Sequence, residues 1–319
     1  MVALSAGWVI PRRTLVLALT VSTALLVPLA LALVFVGASA ALGLGLGFSS
    51  LVVPALRLKP LQASALSVPS ALTGVVAAGL QGSALPAAAF VALTCLLVVP
   101  ATVVDARVLA GIPSAAAVFV AVPLPLEPAR VGLFMILGGA LAVALLGRSP
   151  RRAQLAPVPP VRAWTHGSVM AVAVGISLFL VIHFGVPHGY WVALTLTVVL
   201  RPFQDETWRA AAERVLGTFL GVLLSLVLAA LLPRWALLLA VWVAVVLMAA
   251  YAVQGDYVKQ VAFMTPAAVL IGSGGSPVAM ASDRVVMTLL GVLVAAGIAL
   301  GLSWFDRWRA AQQTREELG

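Results

Sequence analysis

Charge is what this sequence has least of. Ten acidic and nineteen basic side chains are spread over 319 residues, so 9% of the chain is charged against 63% hydrophobic. A soluble domain carries roughly a quarter charged residues, which excludes an ordinary water-soluble fold. Cysteine occurs once, at Cys95, and a single thiol excludes an intrachain disulfide and a thiolate metal cluster. The patterns GxxxxGK[ST] and HExxH, a carboxylate-rich metal motif and a Ser-His catalytic signature do not occur. Intrinsic ATP coupling and a lipid-acting enzyme therefore lack residues to carry them, and neither an enzyme nor a cofactor is expected.

Long apolar runs are what the chain has instead. Runs near twenty residues recur along its length, enough to cross a hydrocarbon core of about 30 Å. Segments of that length satisfy their own backbone hydrogen bonds only as helices, whereas barrel strands would be half as long and alternate in polarity. The expected class is an all-α membrane protein. Breaks at Gly, Pro and charge give about twelve transmembrane helices, near 14–36, 38–56, 63–82, 84–104, 108–125, 129–147, 164–184, 189–202, 209–232, 234–253, 256–272 and 281–305. Pro113, Pro123 and Pro125 interrupt the fifth of these. The first run, Thr14 to Val36, follows Arg12-Arg13 and precedes Ala38-Ser39-Ala40. It exceeds the apolar core of a secretory signal, about 7–15 residues, and reads as a retained membrane helix.

The net charge of +9 does not point to nucleic acid. With the N-terminus inside, fifteen of the basic residues fall in inner segments and three, Arg130, Arg234 and Arg284, at outer ends. That asymmetry is the positive-inside pattern and predicts cytoplasmic termini in a cell (inner or plasma) membrane. The polar break Arg148 to Arg162 divides the chain into a first six-helix half (1–147), a Pro/Arg-rich cytoplasmic linker (148–163) and a second six-helix half (164–305). A short amphipathic tail (306–319) follows, read as an interfacial anchor.

The second half repeats itself. AAERVLGTFLGVLL (211–224) returns seventy residues later as ASDRVVMTLLGVLV (281–294). Glu213, Arg214, Thr218 and Gly221 correspond to Asp283, Arg284, Thr288 and Gly291. Three spans separate the copies, so equivalent helices run in opposite directions and the half reads as a 3+3 inverted repeat, an arrangement that places transporter sites near the membrane midplane. Tyr190 and Tyr257 open the eighth and eleventh spans at matching places. Ala129-Arg130-Val131 is a faint echo in the first half, whose polar groups have diverged.

Arg214 lies six residues past Trp208, a depth of about 9 Å at 1.5 Å per residue. A guanidinium there costs about 2–3 kcal/mol unless it snorkels, pairs or meets water. Arg214 near the inner face and Arg284 near the outer face would suit a path for an anion; both could equally be anchors, with Glu213 and Asp283 serving the helix dipoles. On the functional reading, Glu213 and Asp283 hold the arginines when the path is empty or exchange protons. Thr195 and Thr265 offer hydroxyls on short or Pro-broken spans, although a membrane threonine also bonds its own helix backbone. Tyr190 and Trp191 could stack on an aromatic solute or belong to the interfacial belt. His183, at the loop it shares with His188, and Asp256, beside Lys259, are the titratable candidates for proton coupling. The spaced glycines of GLGLG (43–47), GTFLG (217–221) and GIALG (297–301) signal close helix packing.

The stretch GYWVALTLTVVLRPFQDETWRAAAERVLGTFLGVLL resembles the core signature of the fusaric-acid-resistance-type (FUSC-like) membrane proteins. The likeness rests on Tyr190-Trp191, Pro202, Arg209, then Arg214, Gly217, Thr218 and Gly221, with MTPAAVL (264–270) and the second Arg helix adding to it. It covers about 164–305. The resemblance implies an exporter of aromatic carboxylic acids or drugs; plant aluminium-activated malate channels are distantly similar, and there membrane arginines serve anions. Many relatives carry a large cytoplasmic domain between or after the membrane halves, where this sequence has the linker and the short tail, and the first half lacks the Tyr-Trp and Arg-Gly-Thr motifs. The expectation is a proton-coupled exporter of a small organic anion in the lipid bilayer, with self-association left open. A passive anion channel and a non-transporting scaffold are the alternatives. A major-facilitator protein would also have twelve spans, but RLKPLQ is a poor match to its basic loop motif.

Overall fold

A computed structural model describes residues 9–106, 108–122, 124–147, 155–272 and 276–318. Arg107, Pro123, Arg148, Arg151 and Arg152, which entered the charge and proline arguments, lie outside the described residues. Among the described residues every regular element is a helix. In chain order they are α1 (Arg12–Phe35), α2 (Ala38–Arg57), α3 (Pro60–Ala65), α4 (Ser67–Gly79), α5 (Ala84–Leu97), α6 (Val99–Val104), α7 (Gly111–Ala121) and α8 (Pro128–Leu146). After the linker come α9 (Pro160–His183), α10 (Tyr190–Val199), α11 (Gln204–Leu231), α12 (Arg234–Gln254), α13 (Tyr257–Gly272) and α14 (Pro277–Leu318).

Proline placement explains several breaks. Pro100 sits in the first turn of α6, where a missing N–H costs nothing, and the chain kinks between α5 and α6 at Val98. Pro113 likewise opens α7, which shortens that helix without breaking it. The break expected at Thr265-Pro266 does not occur: α13 runs through Pro266 to Gly272. The tail is not a separate element either. α14 continues unbroken for 42 residues to Leu318, about 63 Å at 1.5 Å per residue.

Among the described residues nine helical segments are long and apolar enough to cross a membrane, counting α3–α4 and α5–α6 as one each. α7 and α10 are apolar but only 11 and 10 residues long, and α13 has 16. The protein is therefore a multi-pass helical membrane protein.

Within the first half α2 lies along α8. Gly43 and Gly47 face the α8 backbone at Val131 and Met135, and Gly138 returns the contact at Leu44. Without a hydrophobic force between helices in lipid, close backbone approach through small residues supplies the packing energy, which accounts for GLGLG. GIALG differs: among the described residues no atom beyond the neighbouring helix backbone stands within 4 Å of a Cβ built at Gly297 or Gly301. The centre of the first half, where α4, α7 and α8 meet, is filled by Phe119, Val131 and Met135, all buried. The halves join where α5 packs on α9, α1 on α12 and α7 on α10. The described end of the linker is tied down: Ala156 donates its N–H to Asp105 Oδ2 at 3.0 Å and Val158 to the Val103 carbonyl at 3.1 Å. The same Asp105 carboxylate pairs with Arg57, and it is 1% exposed.

A buried cationic cluster as the candidate functional site

The second half has a centre of a different kind. α10 packs on α14, α13 packs on α11, and α11 packs on α14. Glycines set the first two contacts. A Cβ at Gly221 of α11 would stand 2.5 Å from Thr265 Cβ and 2.6 Å from the Ala262 carbonyl. A Cβ at Gly291 of α14 would stand 2.7 Å from Thr195 Cβ and 3.1 Å from the Val192 carbonyl. Gly221 and Gly291, Thr265 and Thr195, and Ala262 and Val192 are each seventy residues apart. The spacing read from the repeated sentence therefore also governs which atoms touch. In that register Tyr257 lies three residues earlier on its helix than Tyr190 does on its own, close to one helical turn.

Both repeated arginines point inward. Arg214 is 3% exposed and Arg284 is 1% exposed, the largest fully buried side chain among those described. The guanidinium carbon of Arg284 lies 3.4 Å above the Trp191 ring, a cation–π stack; desolvated contacts of this kind contribute about 2 kcal/mol. Arg214 Nη1 donates to the Tyr257 hydroxyl at 3.2 Å. Arg284 is within electrostatic reach of Arg214, Tyr190 and Tyr257. Tyr190 also packs on Trp191, ring centroids 5.0 Å apart. The aromatic pair thus does more than line an interface: its indole covers a cation.

Donors outnumber acceptors here. Ten buried side-chain N and O atoms lack a hydrogen-bond partner among the described residues, and eight of them belong to this cluster. They are Nε, Nη1 and Nη2 of Arg284, Nε of Arg214, Nε1 of Trp191, and the hydroxyls of Thr195, Thr218 and Thr288. Buried polar groups are nearly always satisfied, so this concentration of open polar atoms sets the cluster apart from the packed interior around it. Thr265 does not join the set; its hydroxyl bonds the Val261 carbonyl at 2.9 Å, as membrane threonines commonly do.

The acids expected beside the arginines are engaged elsewhere. Glu213 accepts from Arg209 Nε at 2.8 Å, one turn back on α11. Asp283 meets His188 Nδ1 at 2.9 Å. The reason is geometric: adjacent helical residues point about 100° apart, so an acid next to an arginine in sequence faces away from it. Asp256 pairs with Lys259 at 2.9 Å at the head of α13, where it also caps the helix. His183 stacks on Phe179 at the end of α9, exposed, and is not brought to the cluster. His188, held at φ 55° in the α9–α10 loop, is the histidine beside it. Arg130, the first-half echo, is exposed and pairs with Glu127 at 2.8 Å. Sequence reasoning placed His188 with His183 in the loop before α10 but left out the stacking of Arg284 on Trp191 and the contact of His188 with Asp283.

Fold and site together define a multi-pass helical membrane protein with a cationic polar centre in its second half. Residues 172–298 match the family described as Fusaric acid resistance protein-like, and over that stretch the resemblance read from the Tyr-Trp and Arg-Gly-Thr motifs is borne out. An uncharacterized protein of Synechocystis sp. is 30% identical over 138 residues, covering 42% of this chain and 18% of that protein. The chain thus spans less than a fifth of the relative it matches. No solved structure matches.

Proposed function

We propose that this chain exports a small organic anion, with an aromatic carboxylate as the favoured class, and that the anion binds between Arg214 and Arg284. The observation that carries this reading is the pair of buried guanidiniums with neither neighbouring acid turned toward them. A carboxylate would supply acceptors to the open N–H groups of Arg284 and Arg214, bonds strengthened by charge on both partners. Thr195, Thr218 and Thr288 would present hydroxyls to it, and Tyr190 and Trp191 would flank an aromatic ring. The seventy-residue pairing of Gly221 with Thr265 and of Gly291 with Thr195 supports a 3+3 inverted repeat within a twelve-span membrane protein. In that arrangement α11 and α14 run antiparallel and bring one arginine from each face to a shared centre. The basic residues orient both termini to the cytoplasm of an inner or plasma membrane. Proton coupling would run through the His188–Asp283 contact beside Arg284.

The test is flux of benzoate in proteoliposomes. Arg284→Ala and Arg214→Ala should each lower it with protein insertion unchanged, and normal flux in both would return the arginines to an anchoring role. Benzoate flux accompanied by acidification or alkalinisation of the lumen supports the coupled exporter; unitary currents without proton movement would make the protein a channel.

A further inference from the structure

The indole of Trp191 and the guanidinium of Arg284 come from different helices, α10 and α14. α10 has only 10 residues and no side-chain cap at its start, so the turn before it decides where Trp191 sits. His188 in that turn has φ 55°. Few side chains adopt that conformation, although histidine is among those that tolerate it, and it persists where surrounding contacts over-determine it. Two contacts do so here. The His188 carbonyl accepts the Trp191 N–H at 3.1 Å. The His188 ring meets Asp283 Oδ2 through Nδ1 at 2.9 Å, and because a carboxylate only accepts, Nδ1 is the donor. Asp283 is the neighbour of Arg284 on α14, and the Arg284 guanidinium carbon lies 3.4 Å above the Trp191 ring. The contacts close a circuit: His188 to Trp191, Trp191 to Arg284, along α14 to Asp283, and back to His188. The His188 and Asp283 side chains are 27% and 38% exposed, so as an ion pair they contribute little energy. Their effect is geometric.

From this circuit we infer that His188 is a positioning residue for the anion site: it latches the turn before α10 to α14 and so holds the Trp191 indole beneath Arg284. Without the latch the indole leaves the guanidinium, whose three nitrogens have no hydrogen-bond partner among the described residues. The inference rests on the reading that an anion binds at Arg284. It is separate from proton coupling, because any donor at the δ position serves. Asparagine places an N–H where Nδ1 stands and tolerates the same backbone. Glycine takes that backbone without strain and carries no donor.

The test is fluorine NMR of the full-length chain labelled with 5-fluorotryptophan. The Trp191 resonance is the one of eight that is missing in Trp191→Phe, and its position in Arg284→Met marks the indole without a cation. His188→Gly and Asp283→Ala should each move it toward that position, and the double variant should move it no further, because both changes break the same bond. His188→Asn should keep the position of the parent. An unmoved resonance in His188→Gly or Asp283→Ala, additive shifts in the double variant, or an asparagine variant that behaves like the glycine one would each overturn the latch. Benzoate titrated into the same samples should bind His188→Gly about fivefold more weakly than the parent, a partly exposed hydrogen bond to a charged group counting for less than a buried one, and His188→Asn should restore the affinity. A shifted resonance with unchanged benzoate affinity would overturn the role of His188 at the site. A parent that does not bind benzoate would overturn the anion reading, while the fluorine spectrum still decides the latch.

Discussion

Replacing Arg284 with methionine tests whether the buried guanidinium serves binding or folding. Methionine keeps an unbranched apolar stem beneath Trp191 and removes the charge. An arginine at membrane depth costs about 2.5–3.5 kcal/mol, and the three nitrogens of Arg284 find no acceptor among the described side chains to lower that. Stacking on Trp191 returns about 2 kcal/mol, and repulsion from Arg214 removes part of that gain. The ligand-free protein should therefore be more stable by about 1–2 kcal/mol in the variant. With an unfolding entropy of about 2.1 cal/mol/K per residue, 319 residues give about 0.7 kcal/mol per degree, so the Tm rises by about 1.5–3 °C. Benzoate at a hundred times its Kd should stabilise the parent by about 2.7 kcal/mol, about 4 °C, and leave the variant unmoved. Thermal unfolding in detergent, with and without benzoate, reads both signs. A variant that melts below the parent without ligand, or one that keeps the benzoate shift, refutes the reasoning and makes Arg284 a structural group.

Gly291→Leu would force α14 away from Thr195, because even a Cβ there stands 2.7 Å from the threonine Cβ; overpacking of this kind costs about 1–3 kcal/mol. Gly221→Leu should cost about as much against Thr265, and both should abolish benzoate flux; a tolerant Gly291 alongside an intolerant Gly221 would argue against the paired packing. Asp105→Asn removes the charge that pairs with Arg57 and weakens the acceptor that holds the linker at Ala156. Loss of one partner of a buried ion pair costs about 3–5 kcal/mol, so its Tm should fall by about 4–7 °C, and an unchanged melting point would show that the linker is held by other contacts.

Much of this protein is legible along the chain because lipid is an unforgiving solvent. A helix crossing it must be apolar for its whole length, so hydropathy marks the long apolar segments wherever they pack. The seventy-residue repetition of Arg, Thr and Gly was visible for a related reason: two contacts made in the same way need the same small residue at the same place. Partnerships between side chains were not legible in this way. Glu213 and Arg214 are neighbours in the string, yet one reaches Arg209 and the other Tyr257. Asp283 meets a histidine ninety-five residues before it. Along the chain Trp191 reads by default as part of an interfacial belt; only packing sets Arg284 above its ring. The helical course through Pro266 and the continuation of α14 to Leu318 likewise depended on packing and backbone geometry that hydropathy does not report.

What the sequence by itself determined is the solvent, the helical class, the positions of the long apolar helices and the doubled motif of the second half. These follow from local chemistry, in which each segment must satisfy its own backbone in hydrocarbon. What only the tertiary structure decided is that the two motifs converge, that their cations turn inward with their acids turned away, and that the first half closes on a phenylalanine and a methionine. The physical reason is that charge and hydrogen bonds act over a few ångströms between side chains brought from distant parts of the chain, and that proximity is created by packing.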